Sequence, residues 1–343
     1  MERYRKTLLL AVKIGIGSSI AVFLARTLQL EYAVSAGTVT LLTLMTSRWE
    51  TIRLSIARIA TFAATVLVSW VIITHIDSMW VSYGLTLTVV VFMAEALGWR
   101  ATISVNSVVV AHLLTDENFN AAAIQNELKL VLIGVTLALT LNLFYGNSYY
   151  KKRIVSDMRG TEQRLQTILR DLAAFLAGEE MEESVWDEIC KLKDDIDSYR
   201  KQADEYQGNT FQSNPEYYID YFDMRWKQCS ILRNLYHELE KIRNLPTQAG
   251  IISDYLHYLS DYMLERNVPA RQIERLHDIF EEMKSRELPR SEEEFENRAM
   301  LYHILMDIET FLNFKAEFVS ALSPSQLERY WKSAPQKEAA AVK

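Results

Sequence analysis

The chain has 343 residues, of which 49% are hydrophobic and 24% are charged, and its net charge is −7. Of its 37 basic and 44 acidic residues, 10 and 8 lie in residues 1–150, which leaves 27 and 36 for the rest. The first part is therefore slightly basic, at +2, and the second strongly acidic, at −9. An acidic second part argues against a nucleic-acid partner, which requires a basic face. The two cysteines do not have the spacing of a zinc site.

Residues 1–148 contain six apolar segments separated by short loops, each with a length suited to crossing a hydrocarbon core of about 30 Å. We predict membrane spans at about 7–28, 32–47, 54–75, 79–96, 99–114 and 126–145. The basic N-terminus followed by an apolar run also resembles a signal peptide. However, the run is long and no clean small-residue cleavage site follows it, so an uncleaved first span is predicted.

Basic residues occur in alternate loops, and this pattern predicts the orientation of the spans. One set of loops and ends carries Arg3, Arg5, Lys6, Arg48, Arg53, Arg58, Arg100, Lys151, Lys152 and Arg153. The opposite loops, around 29–32, 76–78 and 115–125, contain no Lys or Arg. Because basic loops stay on the cytoplasmic side, we predict a multi-pass protein of the bacterial plasma membrane with both termini in the cytoplasm.

Polar side chains are concentrated in the second and fifth spans, which are shorter than their neighbours and hold matching positions in two triplets of spans. Such segments are typical of a central transport site between inverted repeats. We therefore nominate Thr38, Thr43 and Asn106 as residues of a substrate pathway. The alternative is that these small polar residues serve close helix packing.

Cationic residues near the predicted cytoplasmic side are further pathway candidates, because they attract carboxylates: Lys13, Arg53 and Arg100. Lys13 is close enough to that side to extend its ammonium to the interface. Arg53 and Arg58 begin the third span, and the simplest interpretation is that both anchor it to lipid headgroups.

Two ionisable residues are candidates for proton coupling. Glu95 lies near the cytoplasmic end of the fourth span, where a carboxylate can take up a proton. The alternative is a structural ion pair with Lys13 or Arg100. His112 lies near the outer end of the fifth span, and imidazole changes its charge near neutral pH. A histidine at a span end is also often only hydrogen-bonded.

Residues 149–333 have a helical period and no alternating strand pattern, so we predict an all-α protein in which the six-span bundle is followed by a cytoplasmic helical bundle. Helices are expected at about 149–177, 182–207, 215–244, 249–266, 269–286 and 291–322, and a disordered tail at 334–343. Many aromatic residues lie between Tyr199 and Tyr236, and they are typical either of a bundle core or of a pocket for planar ligands.

The sequence contains no nucleotide-binding loop, catalytic triad motif or metal-ligand spacing, so no enzyme, cofactor or metal is predicted. The order of six spans followed by an acidic helical half, and the small and apolar residues of the N-terminal spans, resemble the bacterial aromatic acid exporter family. The resemblance is to the Gram-positive branch with a dedicated C-terminal domain, related to fusaric acid resistance proteins. The resemblance covers nearly the whole chain. It is strongest over residues 6–60, in Lys13-Ile14-Gly15 and Ser35-Ala36-Gly37-Thr38-Val39-Thr40.

The resemblance implies efflux of aromatic carboxylic acids or similar small organic anions, driven by the proton gradient, by a homodimer or larger homo-oligomer. The alternative is a membrane scaffold or sensor that transports nothing and whose cytoplasmic helices bind a partner or ligand. The large second half of the chain keeps this alternative open.

Overall fold

The structure is a computed structural model, and it describes residues 2–115, 119–143, 148–180, 183–242, 245–246, 248–285, 289 and 291–332. These residues form helices and no strand. The predicted disordered tail at 334–343 lies outside the described residues. The chain divides into two compact units, Met1–Gly146 with Gly208–Thr210, and Asn147–Gln207 with Phe211–Lys343.

The described part of the first unit contains six α-helices. They are α1 Glu2–Thr27, α2 Val34–Leu44, α3 Arg48–His75, α4 Met79–Ala96, α5 Ile103–Thr115 and α6 Ala121–Leu143, with a 3₁₀ turn at Arg100–Thr102 before α5. Among the residues that the structure describes, four segments are long and apolar enough to cross a membrane, namely Thr7–Thr27, Arg48–His75, Met79–Ala96 and Ala121–Asn142. Helix α2 has only 11 residues and α5 only 13, about 16 and 20 Å of helix.

Local signals set where these helices begin and end. Ser47 caps α3 by accepting a hydrogen bond from the backbone N–H of Glu50, whose carboxylate accepts one from Ser47 in return. This cap starts α3 at Arg48, six residues before the predicted start of the third span. At the end of α4, Gly98 has a φ of +69°, a left-handed conformation that suits glycine.

Packing in the first unit joins α1, α2 and α6 closely, and α3 contacts α4, α5 and α6. Gly134 of α6 is required by the contact with α2, because a Cβ there would lie 2.6 Å from Val39 Cβ and 2.9 Å from the Ala36 carbonyl. At this contact a residue without a side chain therefore serves the close packing of α6 against α2.

The second unit contains α7 Ser148–Leu176, α8 Glu183–Gly208, α9 Tyr217–Leu239, α10 Ala249–Ser260, α11 Ala270–Lys284 and α12 Glu292–Ala321, followed by a short α13 at Pro324–Gln326 and a π-helical turn at Leu327–Lys332. The six helices predicted between 149 and 322 are all present, with ends displaced by at most six residues. The α9 start was predicted at 215 and lies at Tyr217, because Asn214 has a φ of +58° and does not begin the helix.

Most of the aromatic residues of this unit form its core. Tyr217, Tyr218, Tyr221 and Phe222 are buried, and Tyr217 stacks on Tyr330 with ring centroids 4.0 Å apart. The core interpretation of this aromatic segment is therefore correct for these four rings.

Candidate functional site

A stripe of buried polar side chains follows one face of α3 along most of its length. Its members are spaced by three or four residues, and each is no more than 4% exposed: Thr51, Ser55, Arg58, Thr61, Thr65 and Ser69. Three- and four-residue steps keep side chains on one face of a helix. Polar groups inside membrane helices are costly and usually face the interior of the bundle. We call this set the α3 polar stripe.

Arg58 is the only charged member of the α3 polar stripe, and its side chain is 1% exposed. Its Nη1 atom donates to the Val39 carbonyl at 3.0 Å and to Thr43 Oγ1 at 2.5 Å, both on α2. The interpretation of Arg58 as a headgroup anchor is therefore wrong, because the guanidinium points between helices and not toward lipid. Arg53, one and a half turns earlier, is exposed.

The Nε and Nη2 atoms of Arg58 are buried and have no hydrogen-bond partner among the described residues. No acidic side chain among the described residues forms an ion pair with Arg58 either. An arginine at the centre of a membrane helix costs about 3 kcal/mol on insertion scales, and such charges usually find a partner. Arg58 thus carries a buried positive charge that the described protein groups only partly satisfy.

A second polar group connects α1, α3 and α6 near the N-terminal end of α3. Lys13 Nζ donates to Asn142 Oδ1 at 2.5 Å, and Asn142 Nδ2 donates to Thr51 Oγ1 at 2.6 Å. Thr51 Oγ1 also lies 3.0 Å from Thr46 Oγ1. Lys13 is half-buried, and Asn142 is 5% exposed. This network lies at the start of the α3 polar stripe, seven residues before Arg58, which is about 10 Å along the helix.

His112 of α5 meets a buried carboxylate on α6. Its Nδ1 atom lies 3.0 Å from Glu127 Oε2, and its Nε2 atom lies 3.4 Å from Ser35 Oγ of α2. The imidazole also stacks on Tyr32, with ring centroids 3.9 Å apart and planes 8° from parallel. Glu127 is 3% exposed. We call His112 and Glu127 the His–Glu pair.

The two short helices meet at a recess between α2, α5 and α6. Residues from all three helices line it, including Ser35 and Thr38 of α2, Val105 and Val108 of α5, and Glu127 of α6. Thr38 is exposed here, whereas Thr43, about one and a half turns further along α2, is buried against Arg58. Thr38 and Thr43 therefore do not share one surface.

Asn106 of α5 is 1% exposed, and its Nδ2 atom has no hydrogen-bond partner among the described residues. The same holds for the hydroxyls of Thr65 and Ser69 on α3 and of Thr86 on α4. These helices contact one another, so the unpartnered polar groups lie within the part of the bundle formed by α3, α4 and α5.

Glu95 and Arg100 form an ion pair with an Nε–Oε1 distance of 3.2 Å at the end of α4. Their side chains are 50% and 84% exposed. This geometry favours the interpretation of Glu95 as a surface ion pair, and Arg100 is its partner.

Comparison with known proteins agrees with a membrane transport protein. Residues 7–145 match the family described as "Aromatic acid exporter family member 1", and residues 151–316 match that described as "Putative aromatic acid exporter C-terminal domain". The chain belongs to the aromatic acid exporter family. It is 24% identical over 307 residues to "Uncharacterized protein YqjA" of Bacillus subtilis (strain 168), covering 90% of this chain and 94% of that protein.

This member of the exporter family is also similar to a solved structure described as "Crystal structure of putative membrane protein from Clostridium difficile 630". The two chains are 25% identical, with a TM-score of 0.45, over 49% of this chain and 98% of the other.

The second unit of this exporter family member contains its own buried charges, on α7, α9 and α12. Arg225 Nη2 lies 3.4 Å from Glu162 Oε1, and Arg225 Nε donates to the Tyr221 hydroxyl at 3.2 Å. Lys315 Nζ donates to the Glu265 carbonyl at 2.5 Å. Burial, and after it the nearby charge of Arg225, lower the pKa of Lys315 to about 7. Burial raises the pKa of Glu162, while Arg225 opposes that change.

Sequence reasoning missed Arg58 and Glu127 as site residues of this exporter family member. The signal for Arg58 was the three- and four-residue spacing of polar residues through the third span, which places it on a continuous face. The signal for Glu127 was an acidic residue inside an apolar helix, which is rare without a function or a partner.

Proposed function

We propose that the protein is a secondary exporter that moves small organic anions, chiefly aromatic carboxylic acids, out of the bacterial cytoplasm in exchange for protons. Membership of the aromatic acid exporter family supports export as the activity. Four long apolar helices support a site within the membrane. Proton exchange and the class of substrate are our proposal.

The observation that carries the proposal is the His–Glu pair. A buried carboxylate and an imidazole 3.0 Å apart can hold or release a proton inside a bundle of apolar helices. Ionisable residues at such positions are typical of proton relays in pumps and transporters. The recess beside Glu127 would give protons a route to the pair from one side of the membrane.

We further propose that all six helices of the first unit cross the membrane, with both termini in the cytoplasm. Basic residues occur before α1, at the start of α3 and after α4 and α6. If α1 and α6 each cross once, these charges lie on one side only when α2 and α5 also cross. The short helices α2 and α5 would then rely on the turns at either end to complete the crossing.

The substrate route would begin at the basic side, where Lys13 and its partner Asn142 lie beside the start of the α3 polar stripe. It would continue past Thr43 and Asn106 in the interior, and end near the recess lined by Thr38. Arg53, which is exposed, would attract anions from the cytoplasm.

A second copy of the chain would complete the assembly. The exposed face of α2 carries Val34, Thr38, Leu41 and Met45 at three- and four-residue spacing. This apolar face suits a partner helix as well as lipid. A homodimer with two-fold symmetry is the usual arrangement for such faces.

The experiment that tests the proposal is uptake of radiolabelled benzoate, with a panel of other aromatic acids, into inverted vesicles with an acidic interior. Weak acids that leak through lipid accumulate on the alkaline side. Accumulation in an acidic lumen therefore requires proton exchange by the protein. We expect it in vesicles that contain the protein, and we expect a protonophore or vesicles without the protein to abolish it.

If no acid in the panel accumulates, the exporter proposal fails, and the scaffold or sensor function becomes the better explanation. The observation that favours this second function is the large helical second unit, which has its own apolar core and a buried ion pair.

Labelling of single cysteines at Ser78 and at Ser47 from either side of the membrane tests the topology separately. Six spans predict labelling of Ser78→Cys from outside and of Ser47→Cys from the cytoplasm only.

A further inference from the structure

We propose that the side of the Arg58 guanidinium formed by Nε and Nη2 binds the carboxylate of the transported anion. The inference rests on the proposed function and adds to it the residue that recognises the substrate. Arg58 lies on α3, outside the two helices that the sequence singled out.

The hydrogen-bond pattern of Arg58 leaves the appropriate edge of the guanidinium available. Both hydrogens of Nη1 are used, by the Val39 carbonyl and by Thr43 Oγ1. The remaining donors are the single hydrogen of Nε and the two of Nη2, on atoms that have no partner among the described residues. In the planar guanidinium, one hydrogen of each atom points in the same direction. That edge matches the two oxygens of a carboxylate.

The α2 contacts hold the guanidinium in place before any ligand binds. Thr43 Oγ1 donates to the Val39 carbonyl at 2.6 Å while it accepts from Arg58, so the hydroxyl has a fixed orientation. A donor pair that is already oriented loses little side-chain entropy when a ligand binds. The same contacts keep Nη1 from competing for the carboxylate.

The surroundings of Arg58 indicate an anion with an apolar body. Val39, whose carbonyl binds Arg58, packs in one cluster with Phe62, Val105 and Val109. Phe62 lies one turn after Arg58 on α3 and is 5% exposed. A carboxylate bound to Arg58 would therefore place its remaining atoms against aliphatic and aromatic side chains. A strongly hydrated inorganic anion would lose its water there without an apolar contact in return.

The site is closed in this structure, and Val39 connects it to the recess. Val39 lines the recess between α2, α5 and α6, and its carbonyl is the one that accepts from Arg58. The route from the recess to Arg58 would run past Val39 and would open when α2 moves. A central site that is closed in one state and opens to either side is the arrangement that alternating access requires.

The test is equilibrium binding to the purified full-length protein, with benzoate labelled at its carboxyl carbon and observed by nuclear magnetic resonance, which detects weak binding. Benzamide, which has the same shape and no charge, and chloride are the comparison ligands. We expect benzoate to bind, benzamide to bind at least about tenfold more weakly, and chloride not to compete at similar concentrations.

Three variants locate the binding. Arg58→Gln should raise the Kd for benzoate by about 10- to 100-fold, and Arg58→Lys by a smaller factor, because an ammonium keeps the charge and lacks the paired donors. Arg26→Gln, at an exposed arginine of α1 that lies outside the proposed route, is the control and should bind as the wild type does. Gel filtration and circular dichroism check the fold. If Arg58→Gln does not fold, Arg58→Lys and the benzoate–benzamide comparison in the wild-type protein decide.

Unchanged benzoate binding in the folded Arg58 variants would overturn the inference, as would equal binding of benzoate and benzamide. The measurement uses no gradient, so it separates the two proposals. If Arg58→Gln keeps gradient-driven uptake, the site is wrong and the exporter function stands. If binding depends on Arg58 and no gradient-driven flux occurs in the wild-type protein, the site stands and the exporter function fails.

Discussion

The Nδ1 atom of His112 on α5 lies 3.0 Å from the Glu127 carboxylate on α6, and both side chains are largely buried. The contact joins one residue that sequence reasoning selected to another that it did not. It places a proton acceptor beside the polar face of α2, where Ser35 contacts the same imidazole. In the proposed exchange mechanism, protonation of the pair would be linked to the position of α2 through this contact.

Glu127→Gln should lower gradient-driven benzoate uptake by about an order of magnitude, because the amide keeps the shape of the side chain and cannot bind a proton. Equilibrium binding of benzoate should change far less. The matched control is Glu31→Gln, since Glu31 is an exposed carboxylate that precedes α2. Uptake in Glu127→Gln that still follows the pH gradient would exclude the pair as the coupling site.

Glu95→Gln should leave both gradient-driven uptake and thermal stability nearly unchanged. The ion pair with Arg100 is exposed, and such pairs contribute about 0–1 kcal/mol. The measurement is uptake at several gradients, together with the midpoint of thermal unfolding in detergent. A loss of pH-dependent uptake comparable to that of Glu127→Gln would restore Glu95 as the coupling residue.

Asn142→Leu should destabilise the protein by about 1–3 kcal/mol, because Asn142 accepts from Lys13 and donates to Thr51 in a buried position. Thermal unfolding in detergent measures the effect. Thr140→Val is the control: Thr140 lies on the same helix, is exposed, and bonds only to the carbonyl one turn earlier. Equal unfolding midpoints for the two variants would show that the network around Asn142 does not stabilise the bundle.

Lys315→Met should remove part of the pH dependence of stability of the second unit. Lys315 has a pKa of about 7 in the folded protein, below its usual 10.5. Between these two values the unfolded chain binds a proton that the folded chain does not, so stability rises with pH. This group adds up to about 1.4 kcal/mol per pH unit in that window, and below pH 7 the added term is constant.

Unfolding of the full chain by urea between pH 7 and 10 tests this expectation. The difference in unfolding free energy between wild type and Lys315→Met should increase with pH. Lys201→Met, at an exposed position on α8, should show no such trend. Parallel curves for the wild type and Lys315→Met would mean that Lys315 remains charged when the protein is folded.

The sequence by itself determined the helical elements and the family. Long apolar runs, capping residues and glycines act over a few neighbouring residues, so α3, α4 and α7–α12 could be located before any packing was known. The alternation of basic loops likewise supports the predicted orientation without reference to contacts. The capping box at Ser47 also shows where local signals improve on hydropathy, since α3 begins well before its apolar run.

Only the tertiary structure decided which polar residues contact one another. In an apolar segment, the sequence does not distinguish the side of the helix that faces lipid from the side that faces other helices. Arg53 and Arg58 have the same chemistry and lie five residues apart, yet one is exposed and the other is 1% exposed against α2. Thr38 and Thr43 differ in the same way. Glu127 becomes a candidate site residue only through its contact with His112, which lies fifteen residues earlier on another helix. These relationships depend on how α2, α3, α5 and α6 pack together, which no local pattern specifies.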